Sequence, residues 1–320
     1  MKMAPVVKAL KKYNFKIIVV HTQQHYDKYM SKQIIRDLEF PDPDYSLGIM
    51  GGSHAYQTGK IMISFEEICL KINPNLVVVA GDVNSTIACA LVATKLNIKI
   101  AHVESGLRSN DREMPEEINR IATDHISDIL FTTEESANLN LQKEGVDQDK
   151  IYFVGNSMID SLIKFLPEAK NRKPWIKYRY EKNNYNIVTM HRPSNVDDEK
   201  MLKKLCQMIN EISEIAPTIF PIHPRTLNKV EESKIIFSKN VKIVKPLSYI
   251  EFLGLMSEAF MIITDSGGIQ EETTSLGVKC ITIRNNTERP VTTQIGTNYL
   301  AGTNPSDVIS LYKKIYFKYF

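Results

Sequence analysis

No stretch of eighteen consecutive apolar residues occurs in the chain, so no segment reads as a transmembrane helix. The N-terminus, Met1-Lys2-Met3-Ala4-Pro5, has no apolar core of the kind a signal peptide needs. Cysteine is scarce: Cys69, Cys89, Cys206 and Cys280 are the four in 320 residues. None is spaced as CxxC, which excludes a zinc ribbon or a disulfide framework and suits small buried hydrophobes in a reducing compartment. An excess of one charge is also missing. Forty Lys and Arg stand against 37 Asp and Glu, and a net +3 gives no ground for a nucleic-acid or membrane partner. The basic clusters Asn171-Arg172-Lys173-Pro174 and Lys313-Lys314 read as solvated faces. The expectation is a soluble, cytoplasmic protein without a metal site.

What is present is enough apolar residue, 43%, for ordinary cores, in a length that suits two domains of roughly 150 residues each. Short β-rich runs alternate with helical patterns. Lys16 to Thr22, Leu76 to Gly81, Lys99 to Val103, Asp128 to Thr132 and Ile151 to Gly155 read as strands in the first half. Asn186 to Met190, Thr218 to Ile222, Val241 to Val244, Phe260 to Thr264 and Cys280 to Ile283 do so in the second. Several are continuous Val/Ile runs, as strands covered on both faces must be. Helical stretches such as Ser85–Leu96, Pro115–Ile126, Glu199–Ile215 and Ile250–Ser257 lie between them. The alternation predicts an α/β protein with parallel sheets. Phe165–Asn184, rich in Lys, Arg and Tyr, reads as a linker, which divides the chain into two doubly wound, Rossmann-like domains at 1–165 and 166–320. One feature departs from that plan. The chain opens on an amphipathic helix carrying Met3, Val6, Val7 and Leu10, so a central strand is expected to be missing from the first sheet.

The most informative segment is Thr264-Asp265-Ser266-Gly267-Gly268-Ile269-Gln270-Glu271-Glu272. It reads as a strand, a Ser-Gly-Gly turn and the first turn of a helix, which aims unpaired N–H groups and the positive end of the helix dipole at an anion. Glu272, about one turn further in, is placed to accept hydrogen bonds from hydroxyls of the same ligand. A strand also runs into His191-Arg192-Pro193, and a cationic pair there suits a diphosphate. Arg289, in the polar loop Asn286–Pro290, is a candidate phosphate contact, with a solvated loop arginine as the plainer reading. His223, in Pro221–Arg225, is similarly placed to His191. In the first half, Asp82 and Glu104 end buried strands and Glu117 opens a helix behind Pro115. Each alone reads as structural, Glu116 and Glu117 as partners of the helix dipole. Together at one sheet edge, such carboxylates raise one another's pKa and supply an acid and a base near neutral pH.

Taken in order, these segments resemble the non-hydrolysing UDP-N-acetylglucosamine 2-epimerases. The matching pieces are Gln24-His25, Gly81-Asp82-Val83-Asn84-Ser85-Thr86, His102 to Ser109, Pro115 to Arg120, Gly155 to Asp160, His191-Arg192, Thr264 to Glu272 and Thr287-Glu288-Arg289-Pro290. The resemblance implies two facing Rossmann-like domains of the GT-B type with a UDP-sugar in the cleft. It implies interconversion of UDP-GlcNAc and UDP-ManNAc by loss of the C2 proton with expulsion of UDP, no cofactor and a homodimer. It makes Asp82, Glu104 and Glu117 the acid/base carboxylates and puts His191 beside the diphosphate. Ser266, Gly267 and Gly268 would bind phosphate and Glu272 the ribose, with Lys2, Arg120, Arg192 and Arg289 as further substrate contacts. Family members carry a strand and a Gly-x-Arg-Pro-Glu loop before the first helix and a closing C-terminal segment; this sequence is expected to lack both. Two other readings stay open. Gly51-Gly52-Ser53-His54 also resembles epimerases of UDP-diacetamido-uronates, and the absent arginine loop fits a non-catalytic UDP-sugar-binding remnant.

Overall fold

The computed structural model describes residues 1–22 and 36–319; Gln24 and His25 lie outside them. The chain divides into two compact units, Met1–Ser161 and Leu162–Phe320. Every strand pair in both is parallel.

The first unit contains β1 (Val20–His21), β2 (Tyr45–Ser46), β3 (Leu76–Ala80), β4 (Lys99–Ser105), β5 (Ile129–Thr132) and β6 (Ile151–Phe153). They form two separate sheets, β1-β2 and β3-β4-β5-β6. Two expectations are corrected here. The strand expected over Lys16 to Thr22 shrinks to Val20–His21, because the backbone before it bonds instead to the loop at Asp44: the Val19 N–H donates to the Asp44 side chain and its carbonyl accepts from Asp44 and Tyr45. The Val run of β3, expected to be covered on both faces, alternates: Val77 and Val79 are buried, Val78 and Ala80 only half so. Its covered face meets Ile61, Phe65 and Cys69 of helix His54–Ile72 and Ala88, Val92 and Ala93 of helix Asn84–Lys95. Helix His54–Ile72 follows Gly51-Gly52-Ser53, where the Ser53 hydroxyl caps it by accepting from the Tyr56 N–H.

The second unit holds β7 (Asn186–Thr189), β8 (Thr218–Pro221), β9 (Val241–Val244), β10 (Met261–Thr264), β11 (Lys279–Thr282) and β12 (Asn298–Leu300). Their order is β12-β11-β10-β7-β8-β9. Sequence order runs outward both ways from the β7/β10 pair, which is the Rossmann arrangement with its switch point between those strands. β7 and β10 are buried in register, Asn186 opposite Met261 through Thr189 opposite Thr264. Their core partners come from the amphipathic helix Glu199–Ser213 and the C-terminal helix Pro305–Tyr319.

The linker expected over Phe165–Asn184 is instead the end of helix Ser157–Asn171 and a short helix Pro174–Lys177. Leu162, Phe165 and Ala169 line its buried side and Trp175 follows them into the core, while Lys164, Glu168 and Lys170 face solvent. Composition hid a helix whose apolar positions recur at helical spacing.

Candidate active site

In the second unit, the loops after β7 and β10 meet at the switch point. Asp265 is fully buried and accepts the backbone N–H of His191 at 3.1 Å and of Arg192 at 3.0 Å. It also accepts from Asn195 Nδ2 at 3.1 Å and lies 2.8 Å from His191 Nδ1. Burial alone would raise the Asp265 carboxyl; the hydrogen bond and charge of His191, with the donors of Arg192 and Asn195, outweigh it and hold the group below its ordinary value. An ionised Asp265 fixes the proton on His191 Nδ1 and turns the opposite nitrogen of a ring that is 55% exposed to the outside. Arg192 Nε donates to the Asp265 carbonyl at 3.0 Å, so both basic residues are anchored to one aspartate.

Directly behind Asp265, helix Gly267–Leu276 begins. Ser266 makes no side-chain cap and the first turn holds no acid. Ser266, Gly267 and Gly268 are half-exposed; the Ser266 N–H donates to the Thr264 hydroxyl at 3.0 Å, and the helix start at Gly267 and Gly268 presents its dipole to a ligand. A Cβ on Gly267 would overlap Glu288 Oε1, so any side chain there must displace that buried carboxylate. Glu288 is itself buried and bonded to Arg284 at 2.7 Å. Glu272 is buried against the Tyr249 hydroxyl, which donates to it at 3.3 Å. Burial, with the neighbouring Glu271 charge, pushes its carboxyl up to about 8 against the Tyr249 hydrogen bond. Arg289 is no solvated loop residue: it is 4% exposed and pairs with Glu271 at 2.8 Å. His223 caps helix Pro224–Glu232, accepting from the Arg225 N–H at 3.2 Å.

In the first unit, helix Pro115–Ile126 organises the strand ends after β3 and β4. Arg120 spans two carboxylates, donating to Asp82 at 3.0 Å and to Glu117. Glu117 also accepts the N–H groups of Ser109 and Asn110 at 3.0 and 2.9 Å and is 1% exposed. Asp82 keeps 23% of its side chain open, and Asn119 holds its carbonyl at 2.8 Å. Glu104 sits in the left-handed region, φ 69°, at a register shift between Val103 and Ser105, and Lys2 donates to it at 2.6 Å. The expectation of mutually repelling carboxylates gives way to a different arrangement: each of the three has a cation at contact distance. Sequence reading passed over Asp265, Asn195 and Glu288 in the second unit, and His102 and Asp124 in the first. His102, Asp265 and Glu288 lie inside the motifs, but the partners of His102 and Asp265 come from distant elements. Among the described residues no cluster of His, Cys, Asp and Glu is arranged to hold a metal ion.

A Rossmann-ordered sheet presenting an open helix N-terminus and a histidine–aspartate pair at its switch point defines a nucleotide-phosphate-binding unit. Joined to a second parallel-sheet unit bearing carboxylates at its strand ends, it places the protein among two-unit nucleotide-sugar enzymes of the GT-B class. Comparison with known proteins narrows the class. The family described as UDP-N-acetylglucosamine 2-epimerase matches residues 8–318. The UDP-N-acetylglucosamine 2-epimerase of Methanocaldococcus jannaschii is 45% identical over 96% of this chain and 87% of its own. The crystal structure of the M. jannaschii enzyme with UDP-GlcNAc and UDP superimposes with a TM-score of 0.92 over 98% of this chain and 88% of that one. A UDP-2,3-diacetamido-2,3-dideoxy-D-glucuronate 2-epimerase of Pseudomonas aeruginosa is 40% identical over 89% of this chain and 80% of its own. The chain belongs to the UDP-N-acetylglucosamine 2-epimerase family.

Proposed function

We propose that the protein interconverts UDP-GlcNAc and UDP-ManNAc. Family membership over nearly the whole chain carries this reading, and the chemistry of the two units agrees with it. A carboxylate removes the C2 proton while the C1–O bond breaks, and UDP leaves with the electron pair, giving 2-acetamidoglucal. Protonation of the opposite face of C2 and return of UDP to C1 complete the inversion. The C2 hydrogen is barely acidic, so positioning of the base and stabilisation of the departing diphosphate supply most of the rate. In our reading His191, Arg192, Arg289, the Ser266 hydroxyl and the N–H groups at Gly267 and Gly268 receive the diphosphate, and Glu272 accepts the ribose hydroxyls. Asp82, as the carboxylate with an open face, is the base for one epimer, with Glu104 and Lys2 serving the other. Glu117 and Arg120 act as the frame that holds Asp82.

Incubation with UDP-GlcNAc in D2O, followed by proton NMR, tests this. Loss of the C2 proton signal together with appearance of UDP-ManNAc is expected. A chain that leaves the C2 proton in place refutes the epimerase. Turnover of a UDP-diacetamido-uronate and not of UDP-GlcNAc would reassign the substrate.

The same reading includes a homodimer in the cytoplasm. Tyr56, Ile63 and Leu70, spaced by seven on helix His54–Ile72, are 54%, 59% and 68% exposed and form an apolar stripe suited to a partner helix. Light scattering should give the mass of two chains, reduced to one by I63E; a monomeric wild type would count against it. The four cysteines are all free, as in a reducing compartment, and cell fractionation should recover the protein with soluble markers.

A further inference from the structure

We propose that His102, held by Asp124, is a positioning residue that sets both Asp82 and Glu104 for proton transfer. This rests on the epimerase reading. His102 lies on β4, two residues before Glu104, and is fully buried. Its Nε2 is 2.8 Å from the Gly81 carbonyl. A carbonyl only accepts, so Nε2 carries a hydrogen. Its Nδ1 is 2.7 Å from Asp124 Oδ1. The second Asp124 oxygen accepts the Gly106 N–H at 3.0 Å and pairs with Arg108 at 2.8 Å, and Glu144 grips Arg108 from the other side at 2.7 Å.

One imidazole therefore ends on two backbone turns. The first is Gly81-Asp82 after β3, and the second is Glu104-Ser105-Gly106 at the close of β4. Both turns are built from left-handed residues: Gly81 at φ 70°, Glu104 at 69° and Gly106 at 79°. A glutamate in that region is strained and persists only where its surroundings impose it. Asp124 on the Gly106 N–H and Asn140 on the Gly106 carbonyl impose it here. A histidine buried for packing alone would be satisfied by its aspartate. This one joins the two strand ends that carry the proposed bases, and a buried His-Asp-Arg chain is a poor source of stability compared with apolar packing. Its use is to fix geometry.

Two substitutions separate the arms. In H102Q the side-chain amide nitrogen falls near the place of Nε2 and keeps the bond to the Gly81 carbonyl. In H102N it falls near Nδ1, keeps Asp124 and leaves that carbonyl unheld. Misplacement by about 1 Å costs roughly 100-fold. H102N is therefore expected to lose about that factor in kcat, with KM and the Kd for UDP within twofold of wild type. H102Q is expected to turn over at least tenfold faster than H102N, and any smaller ratio overturns the proposal. A measurement on the wild type guards against a variant that fails to fold. In ¹⁵N-histidine-labelled wild type, the His102 ring nitrogen that faces the Gly81 carbonyl should carry a hydrogen, and a bare Nε2 overturns the anchor. A wild type without C2 exchange would sink the epimerase reading first, before any variant is compared.

Discussion

At the scale of the residue, the second unit turns on two buried acids whose ionisation runs in opposite directions. Asp265 is held below its ordinary value, so its contribution to stability is complete above its unfolded value of 3.8 and is lost as pH falls through the lower native one. D265N removes that contribution and frees the His191 ring to choose its tautomer. Calorimetric titration with UDP at pH 7.5 should show at least a tenfold weaker Kd, about 1.4 kcal/mol; an unchanged Kd would mean His191 is oriented by something else. Glu272 has its carboxyl raised from 4.5 to about 8. Its neutral form is the one the fold prefers, so its contribution is present below pH 4.5 and is lost as pH rises through about 8. E272Q should match the wild type in melting temperature near pH 4.5 and exceed it by a few degrees near pH 8.5. A difference that does not grow across that window would show that Glu272 is ionised in the fold throughout.

At the scale of the element, helix Gly267–Leu276 and helix Ser157–Asn171 make contrasting cases. The first was legible: an apolar run, a Ser-Gly-Gly turn and a helical continuation carry their meaning in consecutive residues. G267A should destabilise the protein by about 1–3 kcal/mol in chemical denaturation, because its Cβ collides with Glu288. In an E288A background, where buried Arg284 has already lost its carboxylate partner, G267A should add almost nothing; the same added cost in both backgrounds would show that the backbone, and not the carboxylate, sets the limit. The second helix is hidden in sequence, because Lys, Arg and Tyr crowd the segment just after it, while within it Leu162, Phe165 and Ala169 set the buried side. F165A is expected to cost about 3–5 kcal/mol by the same assay, where a linker residue would cost almost nothing. Strands β2 and β12, with two and three residues, were too short to show a period. The motifs of the site were readable as motifs. What could not be read is which acid anchors which base, since the Asp265–His191 and Asp124–His102 pairs depend on strand order and helix placement rather than on neighbours in the chain.

At the scale of the whole molecule, the sheets of the two units differ among the described residues: the second unit has one of six strands, the first has sheets of two and four strands with a half-covered β3. The single tryptophan, Trp175, is buried in the second unit and reports on it alone. Heating should therefore give a far-UV circular dichroism loss that begins below the Trp175 fluorescence transition. UDP at 100 times its Kd, which adds about 2.7 kcal/mol to the state that binds it, should raise the fluorescence transition and leave the early phase in place. Coincident curves would mean the chain melts as one body.

The strand order of the second unit also sets a timetable. β7 lies beside β8 and β10, yet β10 is made last of the three, and the His191–Asp265 contacts span 74 positions of chain. During synthesis the β7-β8-β9 half can pair as soon as it emerges, but the centre of the sheet keeps an open apolar edge until Thr264 has left the ribosome. At about 5–20 residues per second that interval lasts several seconds. Over that time the nascent chain offers β7 to any other extended strand, so the pairing that completes the switch point also closes an open edge in the centre of the sheet.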